Sequence, residues 1–214
     1  MKSKEPQAPS RDVRASLLRR AHVEAHDVYV PDESGVDPAL KEECSALYRA
    51  LRFDEGVARA QRAAGWERDP DAALYVAIGR HYQRRYDDAR AGYAAAMALS
   101  DDASFRGTCA ANAATASFEE GDLDRAREGY ALALSIDPLN EFALLGLIAV
   151  GCQRRDAAAV VRDAAILRAR WPGWQTRSVV VGMLRQDRSY RFLRDEPGLF
   201  ERAFGLALGD LAGE

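Results

Sequence analysis

The stretch "FEEGDLDRAREGYALALSIDPLN" (118–140) sets small or apolar residues at Leu123, Ala126, Tyr130, Ala133 and Leu134, with charged residues between them. Steps of three and four place these positions on one face of an α-helix. Gly121-Asp122 reads as the turn before the helix, and Asp137-Pro138 as its stop. The same face occurs 37 residues earlier in "YDDARAGYAAAMALSDDA" (86–103), where Tyr86, Ala89, Tyr93, Ala96 and Met97 take the corresponding places. Self-similarity at a fixed period points to stacked units, none of which buries its apolar face alone.

Each of these helices is preceded by a second helical stretch. "ALYVAIGRHYQRR" (73–85) aligns Tyr75, Ile78, Gly79 and Tyr82 on a common face. In the next copy Ala110, Ala113 and Ala114 stand in for those large residues. The 73–103 copy reads two residues short at its inter-helix turn, and Asp101 stands where a closing proline would be. Weaker copies flank the pair. One runs over 38–70 with Leu40, Leu47, Phe53, Gly56, Ala60 and Ala63. The other runs over 141–172 with Leu144, Leu147, Val160, Ala164, Leu167 and Pro172.

These residues resemble the tetratricopeptide repeat (TPR) family. Tyr75, Ile78-Gly79, Tyr82, Ala89, Tyr93 and Ala96 carry the resemblance in one copy, and Ala126, Tyr130, Ala133 and Pro138 in the next. It covers roughly 38–172, with central copies at 71–103 and 104–140 and degenerate ones at 38–70 and 141–172. It implies an all-α, right-handed solenoid of stacked helical hairpins; a helical bundle of another kind is the alternative.

The ends read differently. Residues 1–11 are expected to be a disordered tail, and 12–30 an amphipathic helix with Asp12 as N-cap and Val13, Leu17 and Ala21 on one side. "PDESGVDP" (31–38) is a polar linker. Residues 1–20 carry six basic and two acidic residues, whereas 21–49 carry seven acidic and two basic. The plain expectation is a solvated helix against the first repeat; docking on an acidic partner or an anionic membrane is the alternative, the thin apolar face counting against a membrane. Residues 174–211 read as a helical cap, with Val181-Gly182 near a repeat's Leu-Gly position, Trp171 and Trp174 at the junction, Asp195 as an N-cap, and Leu199, Phe200, Ala203 and Phe204 as a buried stripe.

Composition narrows the function. The 214 residues are 48% hydrophobic and 29% charged, with net charge −3 and a pI near 5.7. Abundant alanine favours helix, the excess of arginine over lysine fits a GC-rich, bacterial genome, and the charge lacks the footprint of a nucleic-acid binder. No apolar run approaches the length that crosses a bilayer. Cys44, Cys109 and Cys152 are widely spaced, which suits reduced thiols and a cytoplasmic protein. Phosphate-loop, nucleophile-elbow, dinucleotide and HExxH motifs are missing, so no catalytic residue, cofactor or metal is expected. His22 and His26 stand four apart but lack further ligands. His81 reads as a surface or groove residue. Asp87-Asp88, Asp101-Asp102 and Glu119-Glu120 read as helix-boundary charges.

In the resembling family the first helices line a concave groove that holds peptides or helices. Carried over, the groove consists of Lys41, Ser45, Tyr48 and Arg49; then Val76, Arg80, Gln83 and Arg84; then Thr108, Ala111, Asn112, Thr115 and Glu119; then Phe142, Leu145, Ala149 and Gln153. It is basic at one end and apolar at the other. Some relatives clamp a chaperone's terminal carboxylate; only Asn112 falls on a clamp position here, while Val76, Thr108, Phe142 and Gly146 occupy others. The expectation is a non-enzymatic adaptor or scaffold that binds a protein segment, acidic at one end, with no nucleic acid and a membrane not favoured. A structural subunit of a larger or homo-oligomeric assembly is the alternative.

Overall fold

The computed structural model describes residues 38–173 and 178–210. The expected tail, the 12–30 helix, His22, His26 and Trp174 lie outside the described residues. Eleven α-helices and three short 3-10 turns make up the described chain, with no strand among them. Helices α1 (Pro38–Arg49) and α2 (Phe53–Gln61) form the first hairpin. A 3-10 turn (Trp66–Arg68) leads to α3 (Pro70–Tyr82) and α4 (Tyr86–Ala98). Then follow α5 (Ala103–Glu120) with α6 (Leu123–Ile136), and α7 (Glu141–Gln153) with α8 (Ala157–Arg170). Each helix packs on the ones before and after it. The first helices of adjoining hairpins also meet, α1 with α3 and α5 with α7.

The sequence builds these hairpins with a small set of devices. Asp69, Asp102, Asp122, Asn140 and Asp156 cap α3, α5, α6, α7 and α8, each side chain accepting from a backbone N–H of the first turn. Such a cap contributes about 1 kcal/mol. Pro70 opens α3, where its missing N–H costs nothing.

All four hairpins turn in the same way. Leu51, Arg84, Gly121 and Arg155 occupy the left-handed region, with φ of 61°, 60°, 96° and 54°. The next residue's N–H then reaches back to a carbonyl five residues earlier: Arg52 to Leu47, Arg85 to Arg80, Asp122 to Ser117 and Asp156 to Gly151, at 2.9 to 3.0 Å. This bond satisfies a carbonyl that the helix end leaves free. The left-handed residues are 33 (51 to 84), 37 (84 to 121) and 34 (121 to 155) apart. In every hairpin the second helix starts two residues later, at Phe53, Tyr86, Leu123 and Ala157. The 73–103 copy therefore has a turn of full length, contrary to the expectation. The difference lies in the first helices, since α5 has 18 residues and α3 has 13.

The register of the first helices shifts accordingly. A Cβ on Gly92 would stand 2.8 Å from that of Ala77, and one on Gly129 would stand 2.8 Å from that of Ala114. Ala77 is thus the counterpart of Ala114, where the sequence alignment had put Gly79. The large residues Tyr75 and Ile78 correspond to Asn112 and Thr115.

Second helices present two alanines and a tyrosine inward: Ala89, Tyr93 and Ala96 in α4, then Ala126, Tyr130 and Ala133 in α6, all 4% exposed or less. Met97 packs against both hydrophobic clusters, one on either side of it. The chain ends in short helices: α9 (Ser178–Gln186), α10 (Arg191–Asp195) and α11 (Leu199–Phe204). The Tyr190 hydroxyl donates to the Leu145 carbonyl at 3.0 Å, fastening this cap to α7. Leu199, Phe200, Ala203 and Phe204 are buried, with α11 against α8. Asp195 is not an N-cap. It ends α10 and accepts from Arg191, and Gly198 precedes the helix that starts at Leu199. Val181 is buried, but nothing stands within 4 Å of a Cβ placed on Gly182, so the Leu-Gly likeness there is not a packing position. No described helix is long and apolar enough to cross a membrane.

Candidate functional site: the first-helix stripe

With the register fixed by the turns, one stripe can be followed across the four first helices. On α5 it comprises Thr108, Ala111, Asn112, Thr115 and Glu119. The equivalents on α3 are Asp71, Leu74, Tyr75, Ile78 and Tyr82, not Val76, Arg80, Gln83 and Arg84. On α1 the stripe holds Lys41, Glu42, Ser45 and Arg49, and on α7 Phe142, Leu145, Gly146, Ala149 and Gln153.

The members differ in accessibility. Lys41 and Ser45 are half-buried, and Arg49 is exposed. Tyr48, expected on the groove wall, is a core residue: its ring meets Gly56 and Gly79, and its hydroxyl donates to the Tyr75 carbonyl at 2.6 Å. A Cβ at Gly56 would collide with that ring, and one at Gly79 with Val57 and the Tyr48 hydroxyl, so both positions call for glycine. Val76 is likewise buried, because α3 is enclosed on every side from Asp71 to Gly79. Leu145 and Ala149 are buried on α7, Leu145 beneath Tyr190 of the cap. Thr108, Asn112 and Phe142 are half-buried. Thr115 is also half-buried, but its hydroxyl is engaged with the Ala111 carbonyl and the Tyr130 hydroxyl, both at 3.0 Å. Gly146 accommodates the Tyr130 ring, since a Cβ there would come within 2.3 Å of it.

The remaining expected residues lie at the edge where the hairpins turn. Arg84 is exposed and is itself the left-handed residue of its turn. Gln83 donates to Asp54 at 2.7 Å. Arg80 is half-buried just before the turn. This edge joins successive hairpins through equivalent positions, and spacing alone did not reveal it. Asp54 meets Gln83, and Asp124 meets Arg154. At the middle junction both equivalent positions are acidic, Asp87 and Glu120. Arg90 bridges them, at 2.5 and 2.6 Å.

His81 proves to be buried, 6% exposed, because it lies where α3, α4 and α5 converge. Its Nδ1 is 3.1 Å from the Tyr93 hydroxyl. Its Nε2 is 3.5 Å from Glu119 Oε2, a contact too poorly directed for a hydrogen bond. Glu119-Glu120 therefore has structural partners.

Asp71 was not singled out by the sequence, and it is the most unusual member of the stripe. It is 2% exposed, and burial, with Asp69 nearby, raises its carboxyl pKa to about 6 despite an opposing pull from Lys41. The signal was available in principle: an acid two residues after the capping Asp69, directly before the apolar run Ala72–Gly79. Tyr75 beside it has a buried hydroxyl. Ser45 stands near, without the geometry of a hydrogen bond. Burial also raises the thiols, Cys44 to about 11 and Cys109 and Cys152 to about 12, making them poor nucleophiles. Among the described residues no group of three or more His, Cys, Asp or Glu could hold a metal. No protein-family model matches the chain, and no curated protein is significantly similar to it in sequence.

Proposed function

We propose that this protein is a TPR-like, right-handed solenoid that acts as a non-enzymatic, cytoplasmic scaffold and binds a peptide or helix from another protein along its first-helix stripe. The observation that supports this reading is the fourfold recurrence of one hairpin turn, with a half-open stripe on α1 and α5. Lys41 and Arg49 at one end suit an acidic segment, and Arg49 can donate a bidentate pair to a carboxylate. Thr108 and Asn112 offer polar contacts to the partner backbone, and Phe142 an apolar one.

The test is affinity capture from lysate of the source organism with three versions of the full chain. A partner held by wild type and by Arg84→Glu, but released by Lys41→Glu with Arg49→Glu, supports the stripe. A partner that ignores the Lys41 and Arg49 reversals overturns it. Release by the stripe variant should grow as salt is lowered from about 0.15 M to 0.01 M, because the Debye length then rises from about 8 to about 30 Å.

A further inference from the structure

Helix α5 borders two different spaces. Thr108, Asn112 and Thr115 belong to the stripe, whereas Ala110, Ala113 and Ser117 lie on the opposite side of the helix, toward α4 and α6. There they form the floor of a hollow of about 180 Å³ between the two second helices. Ala94 and Met97 of α4 wall it on one side, and Gly129 and Leu132 of α6 on the other. Leu132, 49% exposed, forms its lip. The floor is low because its residues are small. In the turn register Ala110 and Ala113 correspond to Leu144 and Leu147 of α7, both buried in the core. Helix α5 thus carries alanine where α7 carries leucine.

The polar groups of the hollow are engaged inward. Ser117 Oγ donates to the Ala113 carbonyl at 3.3 Å, and the Tyr93 hydroxyl meets His81. The remaining lining is apolar except for one cation on each wall. Arg90 of α4 and Arg125 of α6 border the hollow, and among the described residues that line it there is no aspartate or glutamate. Both arginines lie near the starts of their helices, and Met97 and Leu132 lie later in them, so the hollow has a cationic end and an apolar end. Arg90 is fixed in place by Asp87 and Glu120. Arg125 is more loosely held and more than half exposed. Its neighbour Asp122 uses Oδ1 to cap the Arg125 backbone N–H at 3.0 Å. The other oxygen stands 3.4 Å from the guanidinium, longer than a normal hydrogen bond. That guanidinium can turn to an anion and offer it two parallel N–H groups.

We propose that this hollow binds a small carboxylic acid with a compact apolar body. The body sits between α4 and α6 on the alanines of α5, and the carboxylate meets Arg125, with Arg90 behind it. An apolar cavity of about 150 Å³ holds a benzene, so the space suits a phenyl-sized group. The site lies on the far side of α5 from the stripe and does not depend on the partner-binding reading.

The test is a titration of phenylpropionate into the isotope-labelled full chain at neutral pH, followed by NMR, with phenylpropanol as the uncharged counterpart. Saturable shifts of the Met97 and Gly129 amide signals are expected with the acid, and binding at least about tenfold weaker with the alcohol. Arg125→Gln, at an exposed position, should weaken the acid by a similar factor and leave the alcohol unchanged. Ala113→Leu, which gives α5 the residue that α7 carries, should abolish both. The proposal is overturned if the acid produces no saturable shift, if acid and alcohol bind equally, or if Ala113→Leu binds the acid as well as wild type. Should the melting curve show that Ala113→Leu does not fold, the Arg125→Gln titration decides. If a folded Ala113→Leu chain releases the protein captured through the stripe, the hollow belongs to that protein, and the small-acid proposal falls.

Discussion

The hairpins 70–98 and 103–136 share one second-helix solution and differ in nearly everything that faces it. Ala89, Tyr93 and Ala96 match Ala126, Tyr130 and Ala133 in identity and burial. The tyrosine hydroxyl must be satisfied in both, since a buried polar group without a partner costs about 1–3 kcal/mol. Tyr93 meets His81, whereas Tyr130 meets Thr115. The first helix under Tyr93 is large, apolar and closed, while the one under Tyr130 is built of alanine, threonine and asparagine. A repeat therefore fixes the close approach of helices and leaves the facing chemistry free to vary. That freedom is where a binding surface can be made.

The shared part carries the largest expected effect. Ala126→Phe should destabilise by about 1–3 kcal/mol through overpacking, and Ala89→Phe by a similar amount, because both sites are fully buried. Thermal melting checks this, and an unchanged curve for either would break the equivalence of the two helices. Asp71 distinguishes the hairpins next, since its counterpart is the neutral Thr108. Burial pushes its folded pKa up to about 6, above the ordinary carboxyl value of 3.8, so between these values the folded state holds the extra proton. Stability from this group is full below about pH 3.8 and is lost as pH rises through 6. Asp71→Asn should be more stable than wild type by about 1–2 kcal/mol at pH 7, and should flatten the slope between pH 4 and 6. Denaturant titrations across that range would contradict this if the slope survived the substitution.

The two tyrosines should part by a smaller amount. Tyr93→Phe leaves His81 Nδ1 buried without the hydroxyl and should cost about 1–2 kcal/mol. After Tyr130→Phe, Thr115 still donates to Ala111, so the cost should stay below about 1 kcal/mol. Equal losses in chemical denaturation would show that the polar partners do not matter. The turns give the smallest contrast. Arg84→Gly should stabilise by up to about 1 kcal/mol by relieving the left-handed strain that Gly121 avoids, and Gly121→Arg should lose a similar amount. Opposite signs in the melting temperature are the expected reading.

Much of this was legible without coordinates, and the reason is locality. Helix periodicity, capping aspartates and the Gly121 turn act within a few residues, so the hairpins 70–98 and 103–136 and the buried stripe at Leu199–Phe204 followed from spacing. The alignment of α3 with α5 did not. Alanine-rich α5 offers no large side chain to anchor the match, so the extra helical residues were mistaken for a difference in the turn. With it, Val76, Arg80, Gln83 and Arg84 were set beside Thr108, Asn112 and Thr115, whose counterparts in the turn register are Asp71, Tyr75 and Ile78. His81 was misplaced for a related cause: its neighbours Tyr93 and Glu119 are 12 and 38 residues away in the chain.

By itself, the sequence determined that residues 70–136 fold as paired helices and which second-helix residues there must be small, because these depend on backbone geometry and on contacts repeated at a fixed period. Only the tertiary structure decided the register of the first helices, the burial of Asp71 and His81, and the bridging of Asp87 and Glu120 by Arg90. Those outcomes depend on which side chains meet across distant segments, and on how much water the meeting excludes.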